Sequence, residues 1–243
     1  MLVSEAIQAV QSLYSRGVQS QDSRLMPKHI WNKLLRARSS ILIQMLNKKQ
    51  FLSQFIYQTI PCVELIQSNA YECPCVVPAG CMLLRSKFPI PKPVANIGQH
   101  AIQSVTSLDG SLVIDGVDFA TNKYTPGNKY TSKKPQWFIY NNYLYVTIIK
   151  YLKVVQITMI ADNPEEVWAY PSFCDAECTD CCLSPLDREF PADQNVTDTV
   201  IQMASNELVN LFTQMRQDKW NNADDDTLNA NIVHQPQQPL PGQ

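Results

Sequence analysis

The sequence predicts an α+β fold, with N- and C-terminal helices packed as a bundle and a small central antiparallel β-sheet. Three observations carry this expectation. Apolar residues recur at three- and four-residue steps near both ends of the 243-residue chain. The middle alternates with period two and is punctuated by Asp109-Gly110 and Asn141-Asn142. The composition, 45% apolar and 17% charged, is that of a folded chain rich in uncharged polar residues. A chain of this length buries about 70% of its unfolded surface, so its core does not depend on disulfides.

The N-terminal helices fill residues 1–60. The first is expected from Ser4 to Arg16, with Ser4 as N-cap, Ile7, Val10 and Tyr14 on one stripe, and Gly17 as the stop. The second begins at Pro27, since proline is tolerated in a first turn. Ile30, Leu34, Ala37, Ile41 and Met45 mark its buried side, and Lys28, Asn32, Lys33, Arg36 and Ser40 its polar side. A short helical or extended piece runs from Phe51 to Thr59 and is ended by Pro61.

Residues 61–101 read as an ordered loop with short extended pieces. They hold Cys62, Cys73, Cys75 and Cys81 among five prolines from Pro74 to Pro93. Residues 102–161 form the antiparallel region. Strands are expected at Ser104–Leu108, Leu112–Ile114, Gln136–Tyr140, Tyr143–Tyr151 and Lys153–Ile160, with Thr121–Lys134 as a polar excursion. Residues 162–220 hold a short helix opened by Asp162-Asn163-Pro164, a cysteine-rich loop, and a long helix from about Asn195 to Trp220. Val196, Val200, Met203, Leu208, Leu211 and Met215 mark the buried stripe of that helix. Residues 221–243, rich in Asn, Asp, Gln and Pro, hold too little apolar surface to order themselves without a partner.

Net charge is unevenly placed. Residues 1–50 carry +6, residues 51–170 carry +1 and residues 171–243 carry −9. A basic front and an acidic back fit two different partners or head-to-tail contact between copies; two solvated surfaces of different sign explain them equally well. The most apolar stretch, Tyr143–Ala161, is broken by Lys150 and Lys153, so no membrane span is expected. Met1–Gly17 lacks the plan of a secretory leader, which predicts folding in a cytoplasm.

Little in the chain suggests catalysis. Three scattered histidines, His29, His100 and His234, give no nucleophile–base pair, and no phosphate loop is present. No cofactor is expected, with zinc the one candidate. Cys174, Cys178, Cys181 and Cys182 have spacings that can surround one zinc ion, although adjacent Cys181 and Cys182 make joint ligation awkward and a mixed site with Cys73 and Cys75 is an alternative. The competing readings are free thiols in a reducing cytoplasm, or disulfides formed after release from the cell. Lys28, Lys33, Arg36, Arg38, Lys48 and Lys49, with Trp31, can touch a phosphate backbone, or form a solvated helix face.

Several strings resemble a known family. Asp22-Ser23-Arg24-Leu25-Met26-Pro27-Lys28-His29-Ile30-Trp31 runs into Leu34-Leu35-Arg36-Ala37-Arg38-Ser39. Ile102 to Ser111, Tyr140-Asn141-Asn142-Tyr143-Leu144-Tyr145-Val146, Ala161-Asp162-Asn163-Pro164-Glu165 and Pro185-Leu186-Asp187-Arg188-Glu189-Phe190-Pro191 follow. Over about residues 1–220 the chain resembles head-to-tail connector proteins, the ring or tail tubular adaptors of short-tailed, crAss-like bacteriophages. The resemblance implies a non-enzymatic virion protein assembled in the host bacterial cytoplasm. It implies a ring of twelve copies between portal and tail, which touches the portal protein and adjacent tail rings and lets DNA pass non-specifically. Lys28, Lys33, Arg36 and Arg38 would then be candidates to face the lumen, and Asp224, Asp225, Asp226, Pro236 and Pro239 candidates to dock a partner. The alternative is a cytoplasmic interaction module stabilised by zinc.

Overall fold

The structure is a computed structural model. It describes residues 1–15, 25–68, 83–96, 99–122, 130, 134–147, 151–171, 173–174 and 183–220, with only the backbone described at 95–96, 99–100 and 212–220. Its centre corrects the expectation of a helical bundle with a small sheet. Seven strands close into a barrel: β1 (Gln58–Gln67), β2 (Leu83–Ser86), β5 (Ile102–Ser107), β6 (Val113–Gly116), β7 (Gln136–Tyr140), β8 (Tyr143–Thr147) and β9 (Val154–Met159). Around the barrel the order is β1-β2-β8-β7-β6-β5-β9. β3 (Ala95–Asn96) and β4 (Gln99–His100) form a separate two-stranded ladder.

Closure depends on β1, which runs through Pro61, where the expected piece from Phe51 to Thr59 ends. A proline cannot donate to a ladder and normally ends a central strand. Here the strand absorbs it in a bulge: the register against β9 shifts between Ile60 and Val63, and Cys62 takes a left-handed φ of 54°. The strand therefore continues for 10 residues. Gln58–Glu64 pairs with β9, and Leu65–Gln67 pairs with β2, which in turn pairs with β8. Without β1 and β2, the other five strands would form an open sheet and not a barrel.

The turns match their residues. Asn141 (φ 51°) and Asn142 (φ 64°) join β7 to β8 in the left-handed conformations that asparagine tolerates best among larger residues. Gly110 (φ 70°) serves the β5–β6 hairpin. The Ser107 and Ser111 hydroxyls donate to the Asp109 carboxylate and hold its pKa down at about 2. A carboxyl depressed in this way stabilises the turn above about pH 4, its unfolded range, and the contribution disappears as pH falls through about 2. An NMR titration should show the Ser111 amide following Asp109 in that acid window; a midpoint near 4 would contradict the bonding.

One seam is parallel. β6 meets β7 through Asp115↔Gln136 and Gly116↔Trp137. A Cβ on Gly116 would lie 2.7 Å from the Trp137 ring, so glycine lets the indole lie against the strand. Gly116→Val is expected to destabilise the barrel by about 1–3 kcal/mol in urea titration.

The barrel interior is filled. Every strand contributes: Ile60, Val63 and Leu65 from β1, Leu84, Val105, Ile114, Ile139, Leu144 and Val146, and Val155, Ile157 and Met159 from β9. Alternation sends Phe138 and Tyr145 to the outer side, where with Leu83, Tyr140 and Tyr143 they pack around Phe119 of the short α3 (Phe119–Asn122).

The helices form a second core. α1 (Val3–Tyr14), α2 (Pro27–Asn47) and α5 (Gln194–Trp220) contact one another through Val3, Ile7, Val10, Ile30, Leu34, Val200 and Leu208, and Ile56, Val94 and Ile160 join that cluster from the barrel side. Ser4 is not the α1 cap: Leu2 holds that position, and its N–H donates to the Glu5 carboxylate at 2.8 Å. The start of α2 at Pro27 and the burial of Ile30, Leu34 and Ala37 agree with the periodicity, whereas Ile41 and Met45 are half-buried and Leu42 is buried instead. α4 (Pro164–Trp168) is capped by Asn163, whose side chain accepts from the Glu165 N–H at 3.1 Å.

Candidate functional site

The joint between helices and barrel is built by three neighbours on α2. Arg38 is fully buried. Its Nε donates to the Pro191 carbonyl at 2.9 Å, just before α5, and its Nη1 to the Ala161 carbonyl at 2.9 Å, just after β9. Burial pushes the guanidinium pKa down to about 10, opposed by the nearby Asp162 charge, so it stays charged at neutral pH. Ser39 donates to Asp162 at 2.7 Å, and the Trp31 indole N–H donates to Glu165 at 2.6 Å. Trp31 also meets Phe190 edge-on at 6.0 Å. α2 is thereby fixed to the β9–α4 corner and to the approach to α5.

This geometry separates the four basic residues expected to face DNA. Arg38 is corrected from a lumen candidate to an internal clamp: its apparent place on a basic helix face hid a position turned into the joint. Lys33 is half-buried and pairs with Glu207 of α5 at 3.0 Å. Lys28 and Arg36 are exposed on α2. The sequence carried no signal for the clamp beyond the spacing of Arg38 one residue after the buried Ala37.

The cysteines divide as well. Cys174 forms a disulfide with Cys62 in the β1 bulge, with Cα atoms 5.7 Å apart. A zinc-ligand role for Cys174 requires this bond to be open, since one sulfur cannot serve both. Cys178, Cys181 and Cys182 lie outside the described residues, as do Asp224, Asp225, Asp226, Pro236 and Pro239. Among the described residues, no group of three or more His, Cys, Asp or Glu side chains is placed to hold a metal ion.

Exposed apolar side chains supply surfaces that the sequence reading did not single out. Phe51 and Phe55 protrude from the connection between α2 and β1, Phe51 at 95% exposure. Met1, Leu2, Leu183 and Leu186 are exposed around a second junction. There the N-terminus pairs with the segment before α5: Leu2 bridges Glu189, the Val3 N–H donates to the Arg188 carbonyl, and the Phe190 N–H donates to the Met1 carbonyl. Such surfaces suit association with other chains. Among the described residues, no helix is long and apolar enough to cross a membrane.

A filled barrel with exposed apolar side chains around it accords with a structural subunit. A family model described as phage tail ring protein 2, from crAss-like phages, matches residues 5–227. The chain belongs to that family. Membership makes the ring protein a structural component of a phage particle, one that assembles with copies of itself and with tail partners. A comparison with curated proteins finds no significant match.

Proposed function

We propose that this ring protein sits between portal and tail as a ring of twelve copies and lines the passage for DNA during packaging and ejection. The observation that carries the reading is the family match over residues 5–227. The filled barrel adds a constraint: with Leu144, Val146, Val155 and Ile157 packed inside, DNA cannot thread a subunit, so any passage lies between copies. The reading requires no catalysis and no cofactor.

Contacts with DNA in such a passage are weak and non-specific, because tight binding would stall the moving duplex. Lys28 and Arg36 are the two exposed candidates for these contacts. The isolated chain should bind DNA weakly and lose binding steeply with added salt; tight, salt-resistant binding would contradict a conduit role.

The acidic segment 221–243, with Asp224, Asp225, Asp226, Pro236 and Pro239, docks along the portal or an adjacent ring. Deleting it should abolish co-assembly with purified portal and tail ring proteins, read by sedimentation. Unchanged co-assembly would reject the docking role. Metal analysis of the full chain separates this reading from the zinc-stabilised module, which predicts about one zinc per chain and unfolding by chelators.

A further inference from the structure

We propose that Cys62 and Cys174 form a redox latch, open while the chain folds in a reducing cytoplasm and closed by thiol–disulfide exchange once the particle is outside it. The proposal rests on the reading of the chain as a virion protein. Two independent observations carry it.

The first is the conformation of Cys62. A left-handed φ of 54° is strained for any residue with a side chain, and glycine occupies such bulge positions at lower cost. A cysteine there puts a sulfur at a site where the backbone favours having no side chain. The bulge then brings that sulfur to Cys174, whose neighbour Phe173 donates its N–H to the Cys62 carbonyl at 3.1 Å.

The second is the asymmetry of the pair. Cys62 is 3% exposed, whereas Cys174 is exposed. A small-molecule disulfide can reach only Cys174. The Cys174 thiolate attacks one sulfur of that disulfide, a mixed disulfide forms, and one small thiolate leaves. The Cys62 thiolate then attacks the Cys174 sulfur, the protein disulfide forms, and the second small thiolate leaves. Two protein thiols are oxidised and one small disulfide is reduced, the two leaving thiolates taking up the two protons that the protein thiols give up.

The position of the bond gives the latch its effect. β1 and β9, the first and last strands of the barrel, pair with each other, and this pairing closes it. Cys62 lies in β1, and Cys174 lies beyond β9 and α4, 112 residues away in sequence. The bond fastens the same closure a second time. The filled interior and complete ladders hold the reduced barrel together, so the bond strengthens a folded subunit and is not required to fold it.

The test uses the full chain, purified under reductant and then oxidised with cystamine. The reduced chain should melt cooperatively with both thiols open to alkylation after unfolding. Oxidation should yield the cross-linked Cys62–Cys174 peptide and raise Tm by roughly 5–15 °C. A variant in which the other six cysteines are serine should keep this shift, and Cys62→Ser/Cys174→Ser should lose it. Absence of the cross-link, an unchanged Tm, or a reduced chain without a cooperative melt would overturn the latch. Thiol trapping in cell extracts and in purified particles separates the two readings. The pair should be open in extracts and closed in particles. Open thiols in particles would overturn the latch and leave the ring reading standing. Absence of the chain from particles would overturn the virion reading and the timing of the latch, with the exchange chemistry decided by the melts.

Discussion

Replacing Arg38 with methionine is expected to destabilise the chain by about 3–5 kcal/mol, the range for removing one partner of a buried charged network. Methionine fills much of the same volume, so the loss comes from polar groups rather than from a cavity. The Pro191 and Ala161 carbonyls lose their donors, and Asp162 loses the nearest buried positive charge while keeping only Ser39. Those two carbonyls lie on opposite sides of the joint, so the helical layer should separate from the barrel before the barrel itself unfolds. Trp31, which touches both Glu165 and Phe190, reports on that separation. With Trp137, Trp168 and Trp220 replaced by Phe so that Trp31 alone emits, urea titration followed by fluorescence and by far-UV circular dichroism should give a fluorescence midpoint below the dichroism midpoint. A loss under 1 kcal/mol would show that the clamp is not what holds the layers together. Arg38→Lys should recover part of the loss, because it restores the charge but cannot reach two carbonyls in a fixed fork.

Phe138→Ala is the second large effect, expected to cost about 3–5 kcal/mol. Phe138 is fully buried on the outer side of β7, its ring parallel to Tyr145 at a centroid distance of 5.3 Å and tilted against Phe119 at 5.9 Å. Removing it opens a cavity among rigid rings that cannot collapse into it, since Phe119 and Tyr140 also stack on each other at 4.6 Å. The two substitutions lie in different cores, so their effects should add within about 0.5 kcal/mol in the double variant. A strong departure from additivity would mean that the helical layer and the outer aromatic cluster share a structural dependence that the contacts do not show.

The parts of the fold that sequence revealed are those governed by local rules. The start of α2 follows from Pro27, the cap of α4 from Asn163, and the β7–β8 turn from Asn141-Asn142; each rests on chemistry within a few residues. Barrel closure was hidden because it hangs on a non-local fact. Pro61 ends a strand in isolation, yet inside a bulge it is tolerated, and whether a bulge exists is decided by β9 about a hundred residues later. Arg38 was misplaced for a related reason. Helical periodicity orders residues around an axis, but Arg38 flanks the buried stripe, and whether a flank is solvated depends on what packs there. The disulfide was one of several readings for eight cysteines, because spacing alone cannot say which thiols meet. The protruding Phe51 and Phe55 carry no periodic signal at all, being exposed apolar residues on a connection.

Ring formation by subunits whose barrels are closed to passage is decided most directly by electron microscopy of the tail in intact particles, averaged around its axis. A closed ring of this chain is predicted, with the channel bounded by several copies and with side-chain density filling each barrel. Density showing a single copy off the axis, or an open solvent path through the barrel, would contradict it.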